Sequence, residues 1–205
     1  MTGRTKTGSY AVGRARREAI LDAATAHFIH AGYAQTPMAQ IAADVGITER
    51  GLLHHFPSKK HLLLAVAARR FDFAVQWVAD VPEPSEGVRA LQALRELTAH
   101  FLEKPGLIEL FVLGTSEAAE RSSPAYALYS EQYERAVIDM TSDFLRDVDS
   151  GMLRSDVDYT RLAKRCIAVC DGLQLQWVLS GGTMDLLDEL DSYLDEVAVS
   201  ITTAS

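Results

Sequence analysis

GYAQTPMAQIAADVGITERGLLHHFPSKKHLLLAV, residues 32–66, carries its own punctuation. Gly32 supplies the left-handed residue that stops a preceding helix. Thr36-Pro37 reads as an N-cap followed by proline at the first helical position, where a missing amide proton costs nothing. The short helix that follows turns Met38, Ile41 and Ala42 inward and ends at Val45-Gly46. Thr48 caps another short helix that runs to about Phe56. Pro57-Ser58 breaks it, and Ser58 caps a longer helix through Leu62, Leu63 and Val66 to about Ala79. Two short helices joined by a glycine-containing turn form a helix-turn-helix, and residues 37–56 have that spacing. Ala42 is small where the helices must cross closely, Gly46 makes the turn, and Ile47 and Leu52 fill the space between them.

In such a motif the second helix lies in the major groove of DNA with its N-terminal residues against base edges. Those residues are Thr48, Glu49, Arg50 and Gly51. Arg50 can pair bidentately with guanine, Glu49 can accept from a cytosine amino group, and Gly51 lets the backbone approach. The same pattern also serves a plain helical bundle, so the motif alone leaves both readings open.

Outward from the motif, Ile20, Ala24, Phe28 and Ala31 mark one face of a first helix that starts near Arg14. Residues 1–70 hold ten Lys/Arg against four Asp/Glu, whereas residues 71–205 hold ten against twenty-four, within a net charge of −8. A basic segment on an acidic body is the pattern of local phosphate binding. Arg4, Lys6, Arg14, Arg16 and Arg17 make the start basic; the stretch either tracks DNA or serves as a solubilising tail. No apolar run approaches the roughly 20 residues that span a bilayer, no secretory signal is visible, and two cysteines are too few for a disulfide framework. A soluble cytoplasmic protein with no membrane partner is expected.

The apolar period is helical nearly everywhere, and no run of strict alternation appears. After the breaker cluster at residues 81–87, further helices are expected at about 88–103, 107–121, 124–149, 157–179 and 184–201. The chain is therefore expected to be all-α, with about nine helices. Its divisions are expected to be a basic flexible arm (1–13), a DNA-binding domain (14–75) and a helical domain for effector binding and dimerisation (76–205).

The quoted segment resembles the DNA-binding domain of the TetR family of regulators in order and spacing. The matching residues are Gly32-Tyr33, Thr36, Ile41-Ala42, Val45-Gly46-Ile47, Thr48, Leu52, His55-Phe56, Ser58-Lys59 and Leu62-Leu63. The similarity covers residues 14–75. It departs from the usual pattern at Leu53, where a DNA-touching tyrosine is most frequent, at Arg50-Gly51, and at Pro37. The resemblance implies a homodimer on a double-stranded DNA operator, probed by Thr36, Thr48, Glu49, Arg50, Gly51, His54 and Lys59, with Thr36 and Lys59 on phosphates. It also implies a small-molecule effector held in an apolar cavity of the second domain, for which Trp77, Phe101, Phe111, Met140, Phe144, Gln174 and Trp177 are the candidates. The stretch Asp171–Leu179 resembles the penultimate helix of members with an actinobacterial-type C-terminal domain. Pairing of the last two helices with their copies would then place Leu186, Leu190, Leu194 and Val197 in a dimer interface. Release of a repressor from a pseudo-palindromic operator by an apolar effector is the functional expectation; the alternative is a constitutive DNA-binding protein whose second domain only dimerises.

Other signals point to no cofactor and no metal. His54 and His55 are adjacent on a helix and diverge, and no ligand set at zinc spacing accompanies them. Cys166 and Cys170 share a helical face and read as small buried residues. Asp149, Asp156 and Asp158 lack the spacing of a calcium loop. No nucleophile elbow, phosphate loop or paired carboxylates are recognisable, so an enzyme is not expected.

Overall fold

The computed structural model describes residues 6–80, 87–104 and 106–203, with side chains from Ala11 onward. Among them stand nine helices: α1 Lys6–Ala31, α2 Met38–Asp44, α3 Glu49–His55, α4 Lys59–Asp80, α5 Arg89–Leu102, α6 Gly106–Ala118, α7 Pro124–Asp149, α8 Tyr159–Leu179 and α9 Leu186–Ile201. No strand occurs among the described residues; an isolated antiparallel bridge joins Leu153 to Thr202. None of these helices is long and apolar enough to cross a membrane. The first five residues and most of the 81–87 breaker lie outside the described residues. The chain divides into two compact units, residues 1–70 and 71–205, and the division falls inside α4.

In the first unit, Ile20, Leu21, Ala24 and Phe28 of α1 are buried together with Ile41, Ala42, Leu52, Phe56, Leu62, Leu63 and Val66. Ala31, expected on that face, is exposed, because α1 ends there and Gly32, at φ 81°, turns the chain away. Upstream, α1 begins at Lys6 rather than near Arg14. Ala11, Ala15 and the arginines from 14 to 17 are good helix formers and no proline interrupts them, so the helix runs into the stretch expected as a flexible arm despite Gly8 and Gly13. Pro37, not Thr36, is the N-cap of α2, and it offers no side-chain bond.

Apolar clusters fill the second unit, two of them as follows. One joins Met140 and Phe144 of α7 to Cys166 and Cys170 of α8 and to Leu190, Leu194, Val197 and Ile201 of α9. The other joins Phe101, Ile108 and Leu186, with Phe73, Trp177 and Met184 packed against them. Buried Arg89 donates to the Asp143 carboxylate at 2.6 Å and to the Val78 carbonyl at 3.0 Å, satisfying a charge that the core would otherwise reject. Gly114 is required where α6 meets α7, since a Cβ there would lie 1.9 Å from the Tyr129 hydroxyl. The acidic 149–158 loop has structural employment: Asp158 caps α8 by accepting from the Arg161 amide at 2.9 Å, and Asp156 pairs with Arg154 at 2.8 Å. Hydrogen bonding from Arg154 holds the Asp156 carboxyl below its ordinary value.

Candidate nucleic-acid interface

α3 projects from a hydrogen-bonded turn. The amides of Gly46 and Ile47 donate to the carbonyls of Ala43 and Ala42 at 3.1 and 3.0 Å. Gly46 sits at φ 68°, a conformation costly for any other residue. The Thr48 hydroxyl oxygen accepts from the Gly51 amide at 3.1 Å and caps the helix. Leu52 is wholly buried beneath α3, which leaves Thr48, Glu49, Arg50, Leu53 and His54 exposed on the outer side. The site is thus a rigid outward face whose orientation is set by one buried leucine, one cap and one glycine. The base-reading candidates lie together on it. His54 and His55 do diverge, with His54 exposed, His55 half-buried, and ring centroids 5.9 Å apart.

Thr36 is not on that face. It is 1% exposed, and its hydroxyl is directed at the Gly32 and His27 carbonyls at 2.9 and 3.2 Å, near the end of α1. Its role is to tie α1 to α2, so its assignment to phosphate is corrected. Lys59 is half-buried: its ammonium donates to the Ala34 carbonyl at 3.1 Å and stands 4.6 Å over the Tyr33 ring. An ammonium carries three donors, so Lys59 anchors the Gly32–Thr36 turn and retains capacity toward an anion. Two features escaped the reading of the residues. His27 meets Asp44 at 2.6 Å, which braces α1 against α2, and Arg17 lies 5.0 Å over the Phe56 ring. Both join residues distant in sequence, and no local pattern announces them.

The second unit does not bring its seven effector candidates to one place. Met140 and Phe144 belong to the cluster shared with α9, whereas Phe101 and Trp177 belong to the other. Phe111 stacks on Tyr129 with centroids 6.0 Å apart. Gln174 is buried, and its amide donates to Cys170 Sγ at 3.4 Å, so it serves the core. Trp77 lies against Phe73 and His100. An open cleft of about 530 Å³ between α7 and α8 is lined by none of the seven; Tyr133, Val137, Ile138, Lys164, Ile167 and Asp171 are among its walls. Burial pushes the Cys166 thiol up, consistent with a packed rather than reactive cysteine.

The proposed interface stripe is also corrected. Leu186, Leu190, Leu194 and Val197 are 2%, 0%, 5% and 7% exposed and fill the subunit's own core. The stripe was visible because α9 is amphipathic, and its apolar face is consumed within the chain. The exposed apolar row lies instead on α8: Ala168, Leu175 and Leu179 share the side opposite its buried residues, with Leu175 43% and Leu179 77% exposed.

Comparison with known proteins places this geometry. Residues 20–66 match the family described as bacterial regulatory proteins, tetR family, and residues 88–198 match the BetI-type transcriptional repressor C-terminal domain. The chain is 24% identical over 198 residues to the HTH-type transcriptional repressor KstR2 of Rhodococcus jostii, covering 89% of each. It is 25% identical over 194 residues to the HTH-type transcriptional regulator TtgR of Pseudomonas putida, covering 87% of this chain and 88% of that one. Among solved structures, a TetR transcription regulator from Haloarcula marismortui superposes with a TM-score of 0.81 at 20% identity, over 93% of this chain and all of that one. A transcriptional regulator from Saccharomonospora viridis, solved in complex with choline, gives 0.72 at 26% identity, over 92% and 98%.

Proposed function

Because the chain belongs to the TetR family of bacterial regulatory proteins, with a C-terminal domain of the BetI-type repressors, we propose that it is a homodimeric repressor. It acts in the cytoplasm on a pseudo-palindromic operator and leaves it when a small apolar effector occupies the second unit. The observation that carries this is the exposed Thr48-Glu49-Arg50 start of α3 on a buried Leu52 support, next to a hydrogen-bonded turn. Arg50 is assigned to base recognition and Lys59, through its remaining donors, to phosphate.

A single recognition helix of seven residues buries too little surface for useful specificity, and a twofold dimer doubles the contacts and sets the half-site spacing. The α8 row of Ala168, Leu175 and Leu179 is assigned to that interface in place of the α9 leucines. Effector release is supported by the family and by the choline complex of a relative. It requires only that the effector favour a dimer whose two α3 helices are mis-spaced for the operator, with a coupling of about 1–3 kcal/mol.

The test is selection of duplexes from a random pool by the full-length protein, followed by anisotropy titration and sedimentation. Enrichment of an inverted repeat bound by one dimer is expected. Binding by a monomer, or enrichment of no sequence at all, overturns the proposal.

A further inference from the structure

The outward face of α3 is not wholly polar. Thr48, Glu49, Arg50 and His54 are exposed and each can hydrogen-bond, but Leu53 stands among them 40% exposed. A lone leucine on a protein surface is ordinary. This one adjoins Leu52, which is wholly buried and supports the helix without it. α3 comprises Glu49–His55 and is capped by the Thr48 hydroxyl. At helical spacing Arg50 and His54 lie on the side away from Leu52. Glu49 and Leu53, also four residues apart, form the flank next to Arg50. Leucine has no donor for a phosphate and neither donor nor acceptor for a base, so it adds nothing to positioning on the DNA backbone. Within the major groove it matches one group, the 5-methyl of thymine, which is the apolar feature of the base edges there.

We propose that Leu53 reads a thymine by packing on its 5-methyl group. This rests on the DNA-binding reading above and adds a base to the half-site. Both apolar surfaces leave water when α3 enters the groove, and the contact strands no polar group. Leu53 follows Arg50 by three residues, about 4.5 Å along the helix axis, whereas base pairs stack about 3.4 Å apart. The thymine therefore lies one or two pairs from the guanine assigned to Arg50. A cytosine in its place offers a bare C5 and no methyl to cover. 5-Methylcytosine, which carries the same methyl on C5, mimics thymine toward this side chain.

The test uses the full-length protein and the duplex that selection from a random pool enriches. Each thymine of a half-site is replaced in turn by deoxyuridine, which removes the methyl and keeps the pairing, and affinity is read by anisotropy. One replacement, within two pairs of the guanine that Arg50→Ala ceases to sense, is expected to weaken binding about fourfold, the scale of one buried methyl. The same change in both half-sites should cost about fifteenfold. With cytosine and then 5-methylcytosine at that position, the methylated duplex should bind about fourfold more tightly. Leu53→Ala should bind the thymine and uracil duplexes equally, and random duplexes as the wild type does. Leu53→Met, which keeps an apolar side chain of similar reach, should retain most of the preference. A scan with no uracil-sensitive thymine near that guanine overturns the proposal on the wild-type protein alone. So does a uracil effect that survives in Leu53→Ala. Equal losses for Leu53→Ala on operator and random duplexes also overturn it, since they place the side chain against the sugar-phosphate backbone. An enriched inverted repeat with a flat uracil scan removes the thymine contact and keeps the repressor reading; a pool without enrichment removes both.

Discussion

The two units use their amphipathic helices in opposite senses. In residues 1–70, buried Leu52, Ile41 and Phe28 exist to hold a short helix outward, and Thr48, Glu49, Arg50 and His54, assigned to function, are exposed while Lys59 is half-buried. In residues 71–205, the residues that looked functional are turned inward: Phe144 is wholly buried, Gln174 bonds to Cys170, and the leucines of α9 close the core. A DNA-reading face is made of side chains that the fold does not need. An effector cavity is made of the same residue types that fill a core, so apolar character marks both and separates neither.

The largest effect available to break this contrast is on α9. Leu190→Glu or Leu194→Glu puts a charge among buried apolar residues and should cost more than about 4 kcal/mol, abolishing cooperative melting of the second unit. Leu175→Glu or Leu179→Glu, on the exposed α8 row, should leave the melt near wild type while sedimentation reports monomers. A folded, monomeric Leu190→Glu protein would show that α9, and not α8, forms the interface.

Gly114→Ala sharpens the inward half. The added Cβ falls 1.9 Å from the Tyr129 hydroxyl, and such overpacking costs about 1–3 kcal/mol in chemical denaturation. Tyr129→Phe should rescue it only in part, because the ring carbon remains 2.8 Å away.

Arg50→Ala probes the outward half. Operator binding should weaken by about 1–3 kcal/mol, random duplexes should be bound nearly as before, and stability should change by less than about 0.5 kcal/mol. Equal losses on operator and random DNA would remove Arg50 from base recognition.

The smallest expected effect is that of Thr36→Val, which deletes a buried hydroxyl bonded to α1. About 1 kcal/mol of stability should be lost, with the salt dependence of DNA binding unchanged. A salt slope lower by about one would mean that Thr36 meets a phosphate after all.

Residues 32–66 were legible alone because each of their features is local: a glycine at a left-handed turn, a threonine cap, a proline break and a period of apolar residues. Local chemistry determined the helix-turn-helix, the expected all-helical class and nearly every helix boundary in the second unit to within a few residues. In the first unit the start of α1 differed: with no proline to stop it, the helix runs on through Gly13 and Gly8 to Lys6. Tertiary structure alone decided the rest. Whether Thr36 faces a phosphate or a carbonyl, whether Lys59 is tied to Tyr33, and whether the stripe of α9 meets its own subunit or a copy all depend on what lies across from the side chain. For most of these side chains that partner comes from residues far along the chain, such as Ala34 for Lys59, Asp143 for Arg89 and Phe144 for the α9 cluster. A helix's periodicity says that one face is buried; only the packed neighbours say against what.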